Sequence, residues 1–226
     1  MIFSFGCEAN SPIFGIEFAE ELISQKSHSE ALISSGAHII CNLSASSEIV
    51  GKSEYRKTVA AAFSGKNICA YIYCEAGDGE STSDSVCSGQ KFIYENSKLL
   101  AETLPFSKDK ILFTDIDTEL ISLQRRAINT FCESRNISTI YIPCEVKEHN
   151  EILRKYSRTP FIPECSETRA DRMAQILNIQ AHGLKRRLMH IKSKTAVLGL
   201  SGGLDSTLAL IVTAKAFDMV LTFNFN

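Results

Sequence analysis

The residues best suited to chemistry lie together in Ser201-Gly202-Gly203-Leu204-Asp205-Ser206. Glycines let a backbone turn sharply and approach a bulky anion, and the serines add hydroxyl donors. The apolar residues on either side predict a strand over 195–200 and a helix over 207–217. The N-terminus of such a helix would direct free N–H groups and the positive end of its dipole at the loop. The pattern therefore predicts a nucleotide phosphate site.

The negative charge of Asp205 limits which kinds of phosphate site the motif can form. A carboxylate repels phosphate, so we expect Asp205 either to cap the helix or to hold a cation that bridges to the phosphates. A Walker-type loop is excluded because the lysine that such a loop requires is absent. The alternative is an ordinary strand-to-helix turn in which Asp205 only caps the helix.

Composition and charge are those of an ordinary soluble globular protein. The 226 residues are 44% hydrophobic and 22% charged, which excludes a disordered polymer. The 24 basic and 26 acidic residues, with a net charge of −2, argue against a nucleic-acid-binding surface. No apolar run approaches the about 20 residues that span a bilayer, and the amino end lacks the basic start of a signal peptide. We predict a cytoplasmic protein with no membrane partner.

Eight cysteines occur in the sequence, and none forms a Cys-x-x-Cys pair. No histidine accompanies two of them at zinc-finger spacing, so no metal site is predicted. Cys41, Cys69 and Cys74 fall in apolar runs. We expect reduced, buried thiols that act as small hydrophobic residues.

Strand and helix patterns alternate along the sequence, which predicts a layered α/β domain. The predicted strands are 13–18, 37–41, 67–74, 90–94, 98–101 and 110–113. The predicted helices are 28–35, 53–63, 118–134 and 167–191. The polar stretch 75–84 predicts a loop, and the prolines of 159–163 predict a stiff connector. The basic run Lys185-Arg186-Arg187 is interpreted as a solvated helix face.

The motif at 201–206 resembles the PP-loop of the ATP pyrophosphatases, which adenylate a substrate and release pyrophosphate. On its own the motif leaves several enzymes open, including GMP synthetase, asparagine synthetase and tRNA-thiolating enzymes. The segments that resemble a nitrilase-like glutaminase domain are 14–22, 42–48, 51–56, 70–73, 76–84, 89–90 and 95–96. Residues 158–163 and 178–180 resemble the linker and first synthetase helix of the glutamine-dependent NAD⁺ synthetases.

This resemblance implies a fold and a division of the chain. The fold is α/β: a partial nitrilase-like α-β-β-α sandwich, a linker, and the first β-loop-α unit of a Rossmann-like PP-loop domain. Residues 1–117 resemble the C-terminal half of the glutaminase (carbon-nitrogen hydrolase) domain, 118–165 a linker region, and 166–226 the start of the synthetase domain. We expect a truncated fragment, because other parts of the family pattern are not matched and 223–226 do not resemble its continuation.

The resemblance also implies an activity. Enzymes of this family hydrolyse glutamine and pass the ammonia to the synthetase domain. There ATP adenylates nicotinic acid adenine dinucleotide, and ammonia displaces AMP to give NAD⁺. Glutamine, ATP and nicotinic acid adenine dinucleotide are the implied substrates, Mg²⁺ is the implied metal, and the full-length enzyme is expected to be a homo-oligomer with no nucleic-acid partner.

The family glutaminase uses a Glu–Lys–Cys triad, and Ala19 occupies the nucleophile position. Alanine forms no acyl-enzyme, so we expect no intact catalytic site. Glu20, Ser46 and Lys52 match glutamine-binding positions; alternatively, Ser46 only ends a strand and Lys52 is a surface charge. The residues that match the ATP-binding loop are Gly199, Leu200, Ser201, Gly202, Gly203, Leu204, Asp205 and Ser206.

Two explanations of Ala19 stay open. An engineered Cys→Ala change would trap substrate but leave its neighbours intact. Glu21 and Ile23 also depart from the family pattern, which favours natural degeneration. The triad's glutamate and lysine precede this strand in the family, so we expect both to be missing, with Glu8 and Glu17 as poor substitutes.

Three functions follow from this reasoning. The first is a fragment of a glutamine-dependent NAD⁺ synthetase that is itself inactive. The second is a non-catalytic relic that acts as an interaction subunit of an intact synthetase. The third is a different PP-loop ATP pyrophosphatase, against which the match over 42–84 argues.

Overall fold

The computed structural model describes residues 1–6, 11–77, 79–80, 85–134, 136–144, 151–163 and 165–223. The chain divides into two units, Met1–Lys155 and Tyr156–Asn226. The three-part division at 117 and 165 stays a prediction. Cys7, Glu8 and most of the predicted polar loop beyond Gly77 lie outside the described residues.

Strands of the first unit form one mixed sheet. In chain order they are β1 Ile2–Phe5, β2 Ile13–Phe18, β3 Ile39–Ser44, β4 Ala70–Glu75, β5 Lys91–Glu95, β6 Lys98–Glu102 and β7 Thr139–Ile142. The seven strands lie in the order β6-β5-β4-β3-β2-β1-β7. The central strands β2, β3 and β4 are parallel, so their carboxyl ends meet at one edge of the sheet. β5 and β6 continue the sheet antiparallel, while β1 is antiparallel to β2 and parallel to β7.

Helices cover both faces of this sheet. They are α1 His28–Ser34, α2 Lys52–Asn67 and α3 Thr118–Ala127. Successive strand residues point to opposite faces. α1 and α2 therefore share a core with Ile40 and Tyr71 on one face, whereas Ile121 of α3 packs on Ile39 and Ala70 on the other. α1 and α2 also supply the crossovers that the parallel strands require.

Polar side chains set where two of these helices begin. The Ser27 hydroxyl accepts the Ser29 N–H at 3.2 Å at the start of α1. The Asp117 carboxylate accepts the Leu120 N–H at 2.8 Å at the start of α3. Such caps satisfy N–H groups that have no partner within the helix.

The sequence prediction is confirmed for most elements and wrong at several boundaries. β2 coincides with the predicted strand 13–18, but β3 and β4 begin two and three residues later than predicted. The later start of β4 follows from α2, which extends to Asn67. The predicted strand 110–113 is wrong: β6 pairs only with β5, and Ile111 and Phe113 are exposed. β1 and β7 were not predicted.

The helix predicted over 118–134 also needs correction, since α3 ends at Ala127. The next residues are Ile128-Asn129-Thr130, which are poor helix formers, and Ile128 is extended. Phe131 then turns back so that its ring lies 4.8 Å from the Arg125 guanidinium.

The second unit consists of two helices and the chain that joins them. α4 spans Ser166–His190 and α5 spans Leu204–Phe223, and the two helices contact each other. The strand predicted over 195–200 is wrong: none of the described strands pairs with it, and Val197 is 99% exposed. A strand needs a neighbour for its N–H and C=O groups. α5 also begins three residues earlier than predicted.

The described cysteines differ in solvent exposure. The seven described cysteines are free thiols, and Cys69 and Cys87 are buried as expected. The prediction of general burial is wrong for Cys74, Cys132, Cys144 and Cys165, which are exposed. Cys74 is exposed because it lies on the sheet face that α3 covers only in part. Of the helices in the described ranges, none has the length and apolarity for a bilayer crossing.

Candidate functional site

A strained turn lies at the carboxyl end of β2. The strand ends at Phe18, and a short 3₁₀ helix begins at Ala19. Ala19 has a φ of +45°, in the left-handed region. That conformation costs an L-residue about 1–2 kcal/mol, because Cβ crowds the backbone. The surrounding structure must therefore impose the turn on this alanine.

Two side chains hold the turn in place. The Asn42 side-chain amide donates to the Ala19 carbonyl oxygen at 3.1 Å and to Glu17 Oε1 at 2.8 Å. On the other side of the turn, the Glu21 carboxylate accepts the Phe18 N–H at 3.1 Å. The turn is thus connected both to the next strand, β3, and to its own 3₁₀ helix.

Glu17 is the centre of a buried polar network beneath the turn. Its carboxylate is fully buried and accepts hydrogen bonds from the Tyr71 and Ser29 hydroxyls as well as from Asn42. Burial, followed by the charge and hydrogen bond of Glu17, raises the pKa of the Tyr71 phenol. Tyr71 therefore stays protonated and continues to donate. These contacts compensate the carboxylate for its loss of water.

A small cavity opens beside the turn, at the carboxyl ends of the parallel strands. Its lining residues are Ala19, Glu20, Leu22, Ile23, Ser44, Ser46, Lys52, Tyr55, Arg56 and Tyr73. The structure thus brings together the residue at the predicted nucleophile position and all three residues predicted to bind glutamine. The cavity has a volume of about 30 Å³, which is the space of one water molecule. A whole glutamine cannot be enclosed in it without movement of the lining side chains.

Ser46 is held at this cavity by a buried carboxylate. Glu75 Oε1 accepts the Ser46 N–H at 2.8 Å and the Ser46 hydroxyl at 3.3 Å. The second oxygen of Glu75 accepts the Tyr73 hydroxyl and lies 3.1 Å from Arg56 Nη1. Burial, followed by the hydrogen bond to Glu75, raises the pKa of Tyr73. Ser46 does not end a strand, since β3 ends at Ser44, and it is held through both its N–H and its hydroxyl.

Lys52 and Arg56 approach the cavity from α2. They are four residues apart and so lie on one face of the helix. The Lys52 ammonium donates to the Ser47 carbonyl oxygen at 2.7 Å. Lys52 is half-buried and lines the cavity, so it is not a plain surface charge.

The site lacks a nucleophile at its strained turn. Ala19 carries no thiol or hydroxyl, so covalent catalysis of the Cys type has no attacking atom there. The polar residues that line the cavity are Glu20, Ser44, Ser46, Lys52, Tyr55, Arg56 and Tyr73. Such groups can bind and orient a small polar molecule.

Sequence reasoning missed Glu75, Arg56 and Asn42, which organise this site. The four-residue spacing from Lys52 could have indicated Arg56. The contact between Asn42 and Ala19 joins residues 23 positions apart, and no local pattern signals it.

The phosphate loop predicted at 199–206 is exposed and held by short-range contacts. Gly202 has a φ of +81°. The Ser201 and Ser206 hydroxyls lie 3.2 Å apart, and Ser206 and Thr207 both donate to the Gly203 carbonyl oxygen, at 3.0 and 2.9 Å. Asp205 is the second residue of α5, so of its two predicted roles the N-cap role is wrong and the role of holding a cation stays a prediction. The earlier start of α5 places Asp205 inside its first turn.

A serine and a histidine in another cavity, of about 840 Å³, have a structural role. His38 Nδ1 accepts the Ile13 N–H at 3.2 Å, which leaves the ring proton on Nε2, 3.1 Å from the Ser122 hydroxyl. Ser122 in turn donates to the Thr118 carbonyl oxygen at 2.9 Å. Burial and then the charge of Arg125 lower the pKa of His38 to about 4. His38 is thus a neutral donor to Ser122 and does not activate it as a nucleophile.

Comparisons with known proteins bear on both units. The NAD synthase family model matches residues 176–224. The glutamine-dependent NAD⁺ synthetase of Mycobacterium leprae is 35% identical over 216 residues, which is 91% of this chain and 32% of that protein. The enzyme of the same description from Mycobacterium tuberculosis is 33% identical over 227 residues, again 91% of this chain and 32% of that protein.

A solved structure with the same description is also similar. It is the glutamine-dependent NAD⁺ synthetase of Acinetobacter baumannii in complex with ADP, with a TM-score of 0.44 and 17% identity over 91% of this chain and 31% of that one. The chain spans about a third of the length of the relatives it matches. Over 91% of its own length, the chain is homologous to the glutamine-dependent NAD⁺ synthetases.

Proposed function

We propose that this chain is a portion of a glutamine-dependent NAD⁺ synthetase. Its first part corresponds to half of a nitrilase-like glutaminase domain, residues 118–165 to the linker, and residues 166–226 to the start of the PP-loop synthetase domain. The reaction of the whole enzyme is the ATP-dependent amidation of nicotinic acid adenine dinucleotide, with ammonia from glutamine. The observation that carries the proposal is the convergence of Glu20, Ser46 and Lys52 on the strained turn at Ala19.

In this proposal the glutaminase site keeps ligand-binding groups but has lost its chemical step. Glu20, Ser46 and Lys52 contact glutamine, and Ala19 leaves its amide carbon unattacked. Lys52 is held by the Ser47 carbonyl oxygen, so it does not replace the catalytic lysine. This chain alone therefore hydrolyses no glutamine.

The loop at 199–206 is the proposed ATP site. The N–H groups that begin α5 and the hydroxyls of Ser201 and Ser206 face a common turn, where they can bind phosphate oxygens. Mg²⁺ binds carboxylate oxygens together with substrate phosphates and water. Asp205 supplies such a carboxylate in the first turn of α5 and would hold the ion, whose charge offsets that of the phosphates. Cytoplasmic location, where ATP is available, is part of the same proposal.

A glutamate-release assay tests the glutaminase half. The purified chain and its Ala19→Cys variant are incubated with glutamine, and glutamate is measured against a blank. We expect no release from either, because the cysteine alone lacks a base and a free lysine. Glutamate release by the unaltered chain contradicts the proposal that this site has lost glutamine hydrolysis. Release by Ala19→Cys contradicts the proposal that the site lacks a catalytic base and lysine.

Binding is tested separately by titration in NMR spectra. Glutamine should move the amide signals of Ser46 and Lys52, and Lys52→Met should weaken this effect. Mg²⁺–ATP should move the signals of Ser201 and Ser206, and Asp205→Asn should weaken that effect. Lys185→Met, in α4, is the matched control for the loss of a lysine. Absence of both responses in the unaltered chain contradicts the proposal.

A second function, that of an interaction subunit, is favoured by an exposed apolar row. Phe18, Leu43 and Cys74 are paired across β2, β3 and β4 on the face that α3 covers only in part. Phe18 is 61% exposed and Leu43 50%. Exposed apolar patches of this kind mark contact surfaces. The proposed partner is a full-length glutamine-dependent NAD⁺ synthetase.

Co-elution of the chain with such a synthetase tests this second function. Leu43→Ser should abolish co-elution, whereas Leu123→Ser, at an exposed position on α3, should leave it intact. Equal loss in both variants, or no co-elution of the unaltered chain, contradicts the interaction.

A further inference from the structure

Arg56 is the most enclosed charged residue at the cavity. It projects from α2 and is 4% exposed, although it carries five N–H donors. Its guanidinium lies 5.5 Å from the centre of the Tyr73 ring, which also lines the cavity. A buried arginine persists only when charged and polar groups surround it.

Three chain segments supply those groups. Glu48, in the segment after β3, forms an ion pair with Arg56 Nη2. Gln90 Oε1 accepts a hydrogen bond from the same nitrogen at 2.9 Å, and Ser88 lies at 3.4 Å, both just before β5. Glu75, at the end of β4, lies 3.1 Å from Nη1. Arg56 therefore links α2 to the ends of two strands and the start of a third.

Glu75 connects Arg56 to the cavity. One oxygen of Glu75 faces Arg56 and the Tyr73 hydroxyl, and the other accepts both the N–H and the hydroxyl of Ser46. If Arg56 were removed, the Glu75 carboxylate would be buried without its counter-charge and would move from this position. That movement weakens its hold on Ser46.

Arg56 also retains unused hydrogen-bonding capacity. Its Nε has no hydrogen-bond partner, and Nη1 faces Glu75 outside hydrogen-bond geometry. Because Arg56 lines a cavity with space for one water, a water or a polar ligand atom can take up the unused donors. The arginine thus contributes to the wall of the cavity as well as to its support.

We infer that Arg56 is the positioning residue of this pocket. Through Glu75 it fixes the position of Ser46, and through Glu48 it anchors the segment that follows β3. The inference goes beyond the residues predicted to bind ligand and rests on the proposed function only for the identity of that ligand. Its structural part concerns the Ser46 N–H and needs no ligand.

Hydrogen exchange at the Ser46 amide tests the inference. In the unaltered chain, this amide should exchange far more slowly than an unprotected one. Arg56→Lys keeps the charge but cannot contact four partners, so Ser46 exchange should become at least about tenfold faster. Lys57→Met removes the next cation along α2, which pairs with Glu102 at 2.8 Å, and should not affect Ser46.

A double variant separates positioning from general loosening of the fold. In a Glu75→Ala background Ser46 has already lost its acceptor, so adding Arg56→Lys should produce little further change at Ser46. Equal and additive effects in both backgrounds overturn the inference. Unprotected exchange of the Ser46 amide in the unaltered chain also overturns the inference. The inference can therefore be tested even if the variants do not fold.

Glutamine titration provides the ligand arm. Arg56→Lys should raise the apparent dissociation constant for glutamine, followed at the Ser46 amide signal, by at least about tenfold, as a lost charge-assisted contact would. Lys57→Met should leave this constant unchanged. If the unaltered chain does not respond to glutamine, the proposed ligand is wrong, while the exchange rates still decide the role of Arg56. If glutamine binds equally well to Arg56→Lys, the inference is overturned and the proposed function stands.

Discussion

The two units each contain a sharp turn with a left-handed residue, but the turns are held in different ways. Ala19 has a φ of +45° and lies above a network that joins β2, β3, β4 and α1. Gly202 has a φ of +81°, and the side-chain hydrogen bonds around it join residues no more than five positions apart.

This difference shows how tertiary contacts can replace residue preference. Glycine adopts left-handed backbone at little cost, so a loop without distant neighbours can use it. Alanine resists that conformation, and only a preorganised setting of buried polar groups keeps it there. The first turn is therefore sensitive to substitutions far away in sequence, and the second is not.

The largest expected effect comes from Glu17→Leu. Three donors, on Ser29, Asn42 and Tyr71, would lose their acceptor inside the core, so the free energy of unfolding should fall by at least about 3 kcal/mol. Denaturant unfolding followed by tyrosine fluorescence measures this, since the chain has six tyrosines and no tryptophan. Glu30→Leu breaks a surface ion pair with Lys66 and should cost less than about 1 kcal/mol. Equal losses would show that the network does not support the first turn.

A smaller effect is expected from adding one methyl group at Gly15. A Cβ there would lie 2.8 Å from Ile40 Cδ1 and 3.2 Å from Leu32 Cβ, which are packed between β2, β3 and α1. Gly15→Ala should lower the free energy of unfolding by about 1–3 kcal/mol. Gly199→Ala meets no atom within 4 Å and should change it by less than about 0.5 kcal/mol. A comparable loss at Gly199 would mean that the second turn has distant neighbours after all.

Ala19→Gly should raise the free energy of unfolding, whereas an alanine-to-glycine change in a helix or strand usually lowers it. Relief of the left-handed strain outweighs the greater entropy of the unfolded chain, so stability should rise by about 0.5–1 kcal/mol. Ala62→Gly, at an exposed position inside α2, should lower it by about 0.5–1 kcal/mol. Midpoints of thermal unfolding distinguish the two variants. Destabilisation by both would argue that Ala19 is not strained.

The smallest expected effect is the dependence of stability on acidic pH through Glu48. Burial opposes ionisation of Glu48, but its hydrogen bonds to Arg56 and Ser88 and the charges of Arg56 and Lys52 outweigh it, so the pKa of Glu48 lies below its ordinary value of 4.5. A lowered carboxyl pKa contributes stability above the ordinary value, and this contribution is lost as pH falls through the lowered one. The stability difference between the unaltered chain and Glu48→Gln should therefore be constant near neutral pH and shrink below pH 4.5. A stability difference that does not shrink below pH 4.5 would contradict this role of the Glu48–Arg56 pair.

Much of the fold was readable from local patterns. β2 and α1 were predicted from apolar periodicity, and the loop at 201–206 from its glycines and hydroxyls. These features depend on residues within a few positions of one another, which is the range over which helix and strand periodicity acts. The strand predicted at 195–200 shows the limit of this reasoning, because an apolar run becomes a strand only where a neighbour pairs with it.

The candidate site was readable only in part. Ala19, Glu20, Ser46 and Lys52 were singled out from the sequence, and the structure places all four at one cavity. Arg56 and Glu75 were not, since each looks like an ordinary charged residue until its buried partners are known.

The sequence by itself determined the order of most elements, the absence of a thiol at residue 19 and the hydroxyl and carboxylate groups of the loop at 199–206. Tertiary structure alone decided that an alanine adopts a left-handed turn and that Glu17 meets Asn42 and Tyr71, which are 25 and 54 residues away. The physical reason is strand register. Residues so far apart come within hydrogen-bonding distance only when parallel strands pair in one alignment, and a shift of one residue would turn these side chains to the opposite face.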